Sequence, residues 1–131
     1  MPLPLVIVVA GDDLLFSTQI ASALSGIGHR PHIVRTAGAF LEALRTGPAA
    51  AILNLASPRL DVVAAIRDAK AAPATRMIPL LGFCGHADVA RQTAARGAGC
   101  DLVATNGEVT AHLPRLLDIL LAAPNPSTSP R

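Results

Sequence analysis

The sequence predicts a single α/β domain built on a parallel sheet with helices on both of its faces. Two observations lead there. The 131 residues fit one domain, enough to bury one real core and too few for a second. Five short apolar runs alternate with longer helical patterns, and that alternation belongs to a parallel sheet wrapped on both faces.

Strands are expected near Leu5–Ala10, His32–Arg35, Ala50–Asn54, Ile78–Phe83 and Asp101–Thr105. Helices are expected near Asp13–Ile27, Gly38–Arg45, Leu60–Ala71, Ala87–Ala98 and Glu108–Ala122. In the first helix Phe16, Ile20, Leu24 and Ile27 recur at helical spacing and lay one stripe against the sheet, and Gly28 stops it. Gly97 and Gly99 are expected to stop the fourth. Pro114 falls inside the last helical pattern, where it removes a backbone donor and crowds the preceding turn, so a kink or a late start is expected. The domain is set at residues 1–123; the segment 124–131, with three prolines and no apolar periodicity, reads as a disordered tail.

Composition excludes several functions. The formal charge of +2, from 11 basic against 9 acidic residues, is spread along the chain, so it makes no footprint for nucleic acid or an anionic membrane. Three Phe and no Tyr or Trp leave little on which bases could stack. No stretch approaches the roughly 20 apolar residues a membrane helix needs. The apolar start lacks a preceding Lys or Arg and meets Asp12-Asp13 at once, which reads as a buried strand rather than a signal peptide. Two cysteines, Cys84 and Cys100, without a dense disulfide pattern, suit a cytoplasmic location.

Four segments carry a family resemblance: Val8-Val9-Ala10-Gly11-Asp12-Asp13-Leu14-Leu15-Phe16, Leu53-Asn54-Leu55-Ala56-Ser57-Pro58, Pro73-Ala74-Thr75-Arg76-Met77-Ile78-Pro79-Leu80-Leu81, and Ala98-Gly99-Cys100-Asp101. In order and spacing they resemble the landmarks of the receiver domain of two-component response regulators, over about residues 5–122. The resemblance implies a flavodoxin-like, doubly wound sheet of strand order 2-1-3-4-5, with its site at the carboxyl ends of strands one, three and four.

It also implies a chemistry. Receivers hold Mg²⁺ with two acidic residues after strand one, since carboxylates are hard oxygen ligands. They use an aspartate after strand three as the nucleophile for phosphate. A Ser or Thr after strand four and a Lys after strand five orient and neutralise the phosphoryl oxygens. Carried over by position, the acidic sites fall on Gly11 and Asp12; a shift by one would place them on Asp12 and Asp13 instead. The nucleophile falls on Asn54, the hydroxyl on Cys84 and the lysine on Asn106, with Gly107 where the family tends to have Pro. An amide is a poor nucleophile and carries no charge, so aspartyl phosphorylation is lost in either register. Lys70, the one lysine, lies in the third helical pattern and cannot replace the missing group.

Other groupings have plainer readings. Cys84-Gly85-His86 sets a thiol and an imidazole near the switch point, yet thiolate activation needs exposure, and a small residue ending a buried strand is preferred. Adding Asp88 gives a Cys-x-His-x-Asp set, which is not a standard zinc spacing. His29 and His32 read as solvated loop positions. Asp12 and Asp13 are weak metal candidates, with Asp13 preferred as a cap for the first helix and Asp12 as a vestigial pocket residue. Asn106-Gly107 reads as a tight turn. No flavin or cobalamin signature is present, so no cofactor is expected.

The leading expectation is an atypical, pseudo-receiver module that is not phosphorylated and acts by binding a protein partner or a second copy of itself. A small-molecule or redox sensor using the altered pocket is the alternative, and an enzyme comes third, because no general base sits beside a nucleophile. The candidate interface is the last helix. At about 100° per residue its apolar arc spans about 200°, wider than the roughly 100° stripe one sheet needs. Leu113, Leu116, Leu117 and Leu120 are expected to face the core, while Ile119 and Leu121 border solvent.

Overall fold

The computed structural model describes residues 4–122, so the tail expected at 124–131 lies outside the described residues. In chain order the elements are β1 (Val6–Ala10), α1 (Leu14–Gly26), β2 (Arg30–Val34), α2 (Ala37–Leu44), β3 (Ala50–Asn54), α3 (Val62–Ala71), β4 (Leu80–Cys84), α4 (Val89–Ala98), β5 (Leu102–Thr105) and α5 (Asn106–Ala122). The strands form one parallel sheet in the order β2-β1-β3-β4-β5, as expected. Two strand starts differ by two residues, for local reasons. β2 begins earlier because the Arg30 N–H donates to the Leu5 carbonyl at 2.8 Å. β4 begins later because Pro79 has no N–H and the Ile78 N–H turns back to the Thr75 carbonyl. Among the described residues no helix is long and apolar enough to cross a membrane.

The central strands are apolar on both sides, and their period-two alternation sorts them into two cores. Ile7, Val9, Ile52, Leu81 and Phe83 pack with Ile20 and Leu24 of α1 and Val109, Leu113, Leu116, Leu117 and Leu120 of α5. Val8, Ala10, Leu53, Leu80 and Cys84 pack with Phe40 and Leu44 of α2, Ile66 of α3 and Ala95 of α4. Each such leucine or isoleucine, fully buried, contributes about 1.5–3 kcal/mol.

Helix ends follow their sequence signals with three corrections. The stripe of α1 stops at Leu24: Ile27 is the exposed C-cap residue, outside the helix, and the His29 N–H closes the end on the Leu24 carbonyl while Gly28 takes φ 92°. Gly97 lies inside α4 and does not end it; Gly99, at φ 108°, does. Asn106-Gly107 is no tight turn but the first turn of α5. There the Thr105 hydroxyl accepts from the Glu108 N–H at 3.1 Å, and the Glu108 carboxylate accepts from the Thr105 N–H at 2.8 Å. That reciprocal capping box starts the helix two residues before the expected position. Pro114 leaves its mark as a kink, with His112 at the non-helical φ −135°, ψ 31°.

At the amino-terminal end of the sheet, Lys70 of α3 is tied down. Its Nζ lies 2.7 Å from Asp101 Oδ2 and also donates to the Arg76 and Ile78 carbonyls at 3.1 and 2.9 Å. Asp101 in turn accepts from the Leu80 N–H at 2.8 Å. The one lysine is therefore a structural strut at the end of the sheet opposite the strand carboxyl ends.

Gly82 of β4 is closely covered by its neighbour. A Cβ there would lie 2.8 Å from Leu55 Cδ2, and the buried Leu55 side chain covers the strand at that point. Gly82→Ala is expected to lower stability by about 1–3 kcal/mol, as overpacking does, read as a lower urea midpoint. An unchanged midpoint would show that Leu55 is free to move aside.

Candidate functional site

The cleft at the carboxyl ends of the strands is built where β1 and β3 run out side by side, with Ala10 paired to Leu53. Beyond Ala10 the Gly11 N–H still donates to the Val34 carbonyl at 3.1 Å, and beyond Asn54 the Leu55 N–H donates to the Phe83 carbonyl at 2.8 Å. These two bonds carry the sheet one residue further and fix where Gly11 and Asn54 stand. A Cβ on Gly11 would lie 3.1 Å from Asn54 Cβ, 3.3 Å from Ser57 Oγ and 3.5 Å from Ser17 Oγ. Gly11, not Asp13, thus faces Asn54, and the groups gathered about that point are the Asn54 methylene and two hydroxyls.

The neighbouring acids have other work. Asp13 caps α1, its Oδ1 accepting from the Phe16 N–H at 3.1 Å. Asp12 reaches across to the β3–α3 loop: its Oδ2 accepts from the Arg59 N–H at 2.7 Å, and its own N–H donates to Ser57 Oγ at 3.3 Å. Asn54 is turned into its own loop, Oδ1 accepting from the Ala56 N–H at 3.0 Å, with the Ser57 N–H closing on the Asn54 carbonyl. Among the described residues, no three His, Cys, Asp or Glu side chains are grouped as a metal would need.

Cys84 ends β4 and Asn106 opens α5. Cys84 has 0% exposure and belongs to the core beneath α2, α3 and α4; its Sγ faces the Asp88 carbonyl at 3.8 Å. Asp88 caps α4 and pairs with Arg91, so the Cys-x-His-x-Asp set is not assembled. Asn106 is the exposed first residue of α5. Among the described residues neither side chain is hydrogen-bonded to Asn54. His29 is not simply solvated: its Nδ1 accepts from the Leu5 N–H at 3.3 Å.

Sequence reasoning missed Ser57 and Ser17, both buried polar residues beside Gly11. Only a turn signal in Ala56-Ser57-Pro58 pointed toward the first. Two grooves lie elsewhere. One of about 80 Å³ between α1 and α5 is lined by Phe16, Ile20, Val109 and Leu113. Another of about 260 Å³ between α2 and α3 is lined by Leu41, Arg45, Asp68, Ala72 and Thr75. Neither is lined by Asn54, Cys84 or Asn106.

Burial, and then the Asp88 carboxylate, push the Cys84 thiol up. Burial pushes Cys100 up to about 11. A raised thiol value in the fold means that the unfolded chain ionises first. Stability from Cys100 is therefore whole below the unfolded thiol value of about 8.5 and falls as pH rises toward 11, by about 3 kcal/mol. Urea midpoints from pH 8 to 11 should decline less steeply in Cys100→Ala than in the parent, and equal slopes would refute the assignment. Neither native thiol should react with iodoacetamide at neutral pH.

No protein-family model matches this chain, and no curated protein matches it. Among solved structures it resembles the receiver domain of the sensor histidine kinase PA1611 from Pseudomonas aeruginosa PAO1, at TM-score 0.82 and 20% identity over 92% of this chain and 99% of that one. The Pseudomonas domain carries a magnesium ion in its active-site cleft. The chain likewise resembles the receiver domain of NtrX from Brucella abortus, at TM-score 0.76 and 22% identity over 94% and 99% of the two chains. A protein described as a response regulator from Chloroflexus aurantiacus J-10-fl superposes at TM-score 0.84 and 19% identity, over 92% and 99%. The chain has the flavodoxin-like fold of response-regulator receiver domains.

Proposed function

We propose that this chain is a receiver-like signalling module that is not phosphorylated on aspartate and acts by binding protein, either a partner or a second copy of itself. The observation that carries the reading is the Gly11–Asn54 juxtaposition. At that point a receiver chemistry needs a nucleophilic carboxylate beside metal-holding carboxylates, and this chain offers a bare backbone and an amide. Among the described residues Asp12 is the one carboxylate joined to the cluster, and it is engaged by the Arg59 N–H. The redox reading draws no support from Cys84, whose thiol is buried and pushed up rather than activated.

The binding surface is assigned to α5. Leu113, Leu116, Leu117 and Leu120 are buried, while Ile119 is 47% and Leu121 38% exposed, so the apolar arc of this helix is wider than the sheet beneath it covers. Exposed apolar surface of that kind favours association.

Acetyl phosphate or beryllofluoride with Mg²⁺ is expected to leave the protein unmodified by intact mass and unshifted by NMR. A hydroxylamine-labile phosphorylated species would overturn the phosphorylation-independent reading. The triple variant Asn54→Asp, Cys84→Thr, Asn106→Lys should phosphorylate faster than Asn54→Asp alone, and equal rates would mean that the pocket has been assigned wrongly.

For α5, sedimentation velocity should detect self-association, or a pull-down a partner. Ile119→Arg should weaken that binding about tenfold or more, with an unchanged circular dichroism spectrum, because a charge is placed where an apolar contact forms. A monomeric parent that captures nothing from its native lysate would refute the interface.

A further inference from the structure

The residues around Gly11 do more than lack reactive groups; they occupy the space. Ser57 is 8% exposed, and its Oγ would stand 3.3 Å from a Cβ at Gly11. The same Oγ takes the Asp12 N–H, and Asp12 Oδ2 takes the Arg59 N–H at 2.7 Å. Two loops separated by 47 residues in sequence are thereby cross-tied twice, once by a charge-assisted bond, the stronger kind. Asn54 Oδ1 on the Ala56 N–H and Leu55 seated over Gly82 hold the second loop from its other side.

We propose that Ser57 and Asp12 form a built-in latch: Ser57 packs against Gly11 where a side chain would begin, and Asp12 clamps Arg59, holding the β1–α1 and β3–α3 loops as one unit. Gly11 and Ser57 are matched partners in this arrangement. A Cβ at Gly11 would press on Ser57 Oγ at 3.3 Å and on Asn54 Cβ at 3.1 Å, so each would have to give by a few tenths of an ångström, and Asp12 cannot turn into the cleft without releasing Arg59. The loops then rest in a single preset conformation, whatever the domain binds through α5.

Two measurements on the full chain test the latch. In native-state hydrogen exchange followed by NMR, the Arg59 amide should be protected, and Asp12→Ala should speed its exchange about tenfold or more, the scale of one lost hydrogen bond to a charged group. Ser57→Ala should speed the Asp12 amide in the same way. An Arg59 amide that exchanges freely in the parent, or that Asp12→Ala leaves unchanged, would overturn the latch. Urea unfolding supplies the second test. Gly11→Ala should be destabilising, and the factor by which it shifts the unfolding constant should shrink about threefold or more in a Ser57→Ala background, the lower range of coupling for residues in contact. Strict additivity would overturn the plug. Should Gly11→Ala fail to fold, the exchange rates of Asp12→Ala and Ser57→Ala decide the matter.

Discussion

The close approach of Leu55 to the backbone of Gly82 is the constraint on which the cleft depends. A glycine in the middle of a strand normally weakens it, yet here any side chain would collide with Leu55 at 2.8 Å. Leu55 sits down on β4 while its N–H extends the ladder to the Phe83 carbonyl, and the residue before it, Asn54, stands at the carboxyl end of the central strand beside Gly11. The turn that follows is then short enough for Ser57 to reach the Asp12 N–H and for Arg59 to reach the Asp12 carboxylate.

The same economy shows in how charge is used. The acids serve as backbone acceptors: Asp13 and Asp88 cap helices and Asp12 holds Arg59 at the carboxyl ends of the strands, while Asp101 holds Leu80 at the opposite end of the sheet. Each carboxylate that satisfies an otherwise unpaired N–H contributes to local order, and none of these four is left to gather a cation with the others. The buried side-chain polar atoms among the described residues are all satisfied, as a core without a vacant polar site requires.

Much of this was legible in the sequence because it rests on short-range rules. Continuous apolar runs gave the five strands, and the angular spread of leucines on the last helix correctly separated buried Leu113, Leu116, Leu117 and Leu120 from exposed Ile119 and Leu121. The preference for Asp13 as a cap also held. What escaped was long-range. Nothing local shows that Ser57 sits under Gly11 or that Asp12 reaches Arg59, since those pairings exist only once β1 and β3 are side by side. Ile27 fitted the helical period of α1 but came after the residue where the chain turned. The Thr105–Glu108 capping box was visible in principle, yet Asn-Gly, a strong turn signal, masked it.

The anchoring of Lys70 has a consequence for covalent chemistry. It is the sole lysine of the chain, and its amine is spread over the Arg76 and Ile78 carbonyls between α3 and β4 and over Asp101 just before β5. Acylation or alkylation of that nitrogen removes the charge or the donors that these acceptors share. A reagent or enzyme that targets lysine side chains therefore meets an amine that must first be prised from the scaffold, so its modification reports on opening of the domain's lower end rather than on the accessibility of a surface tag.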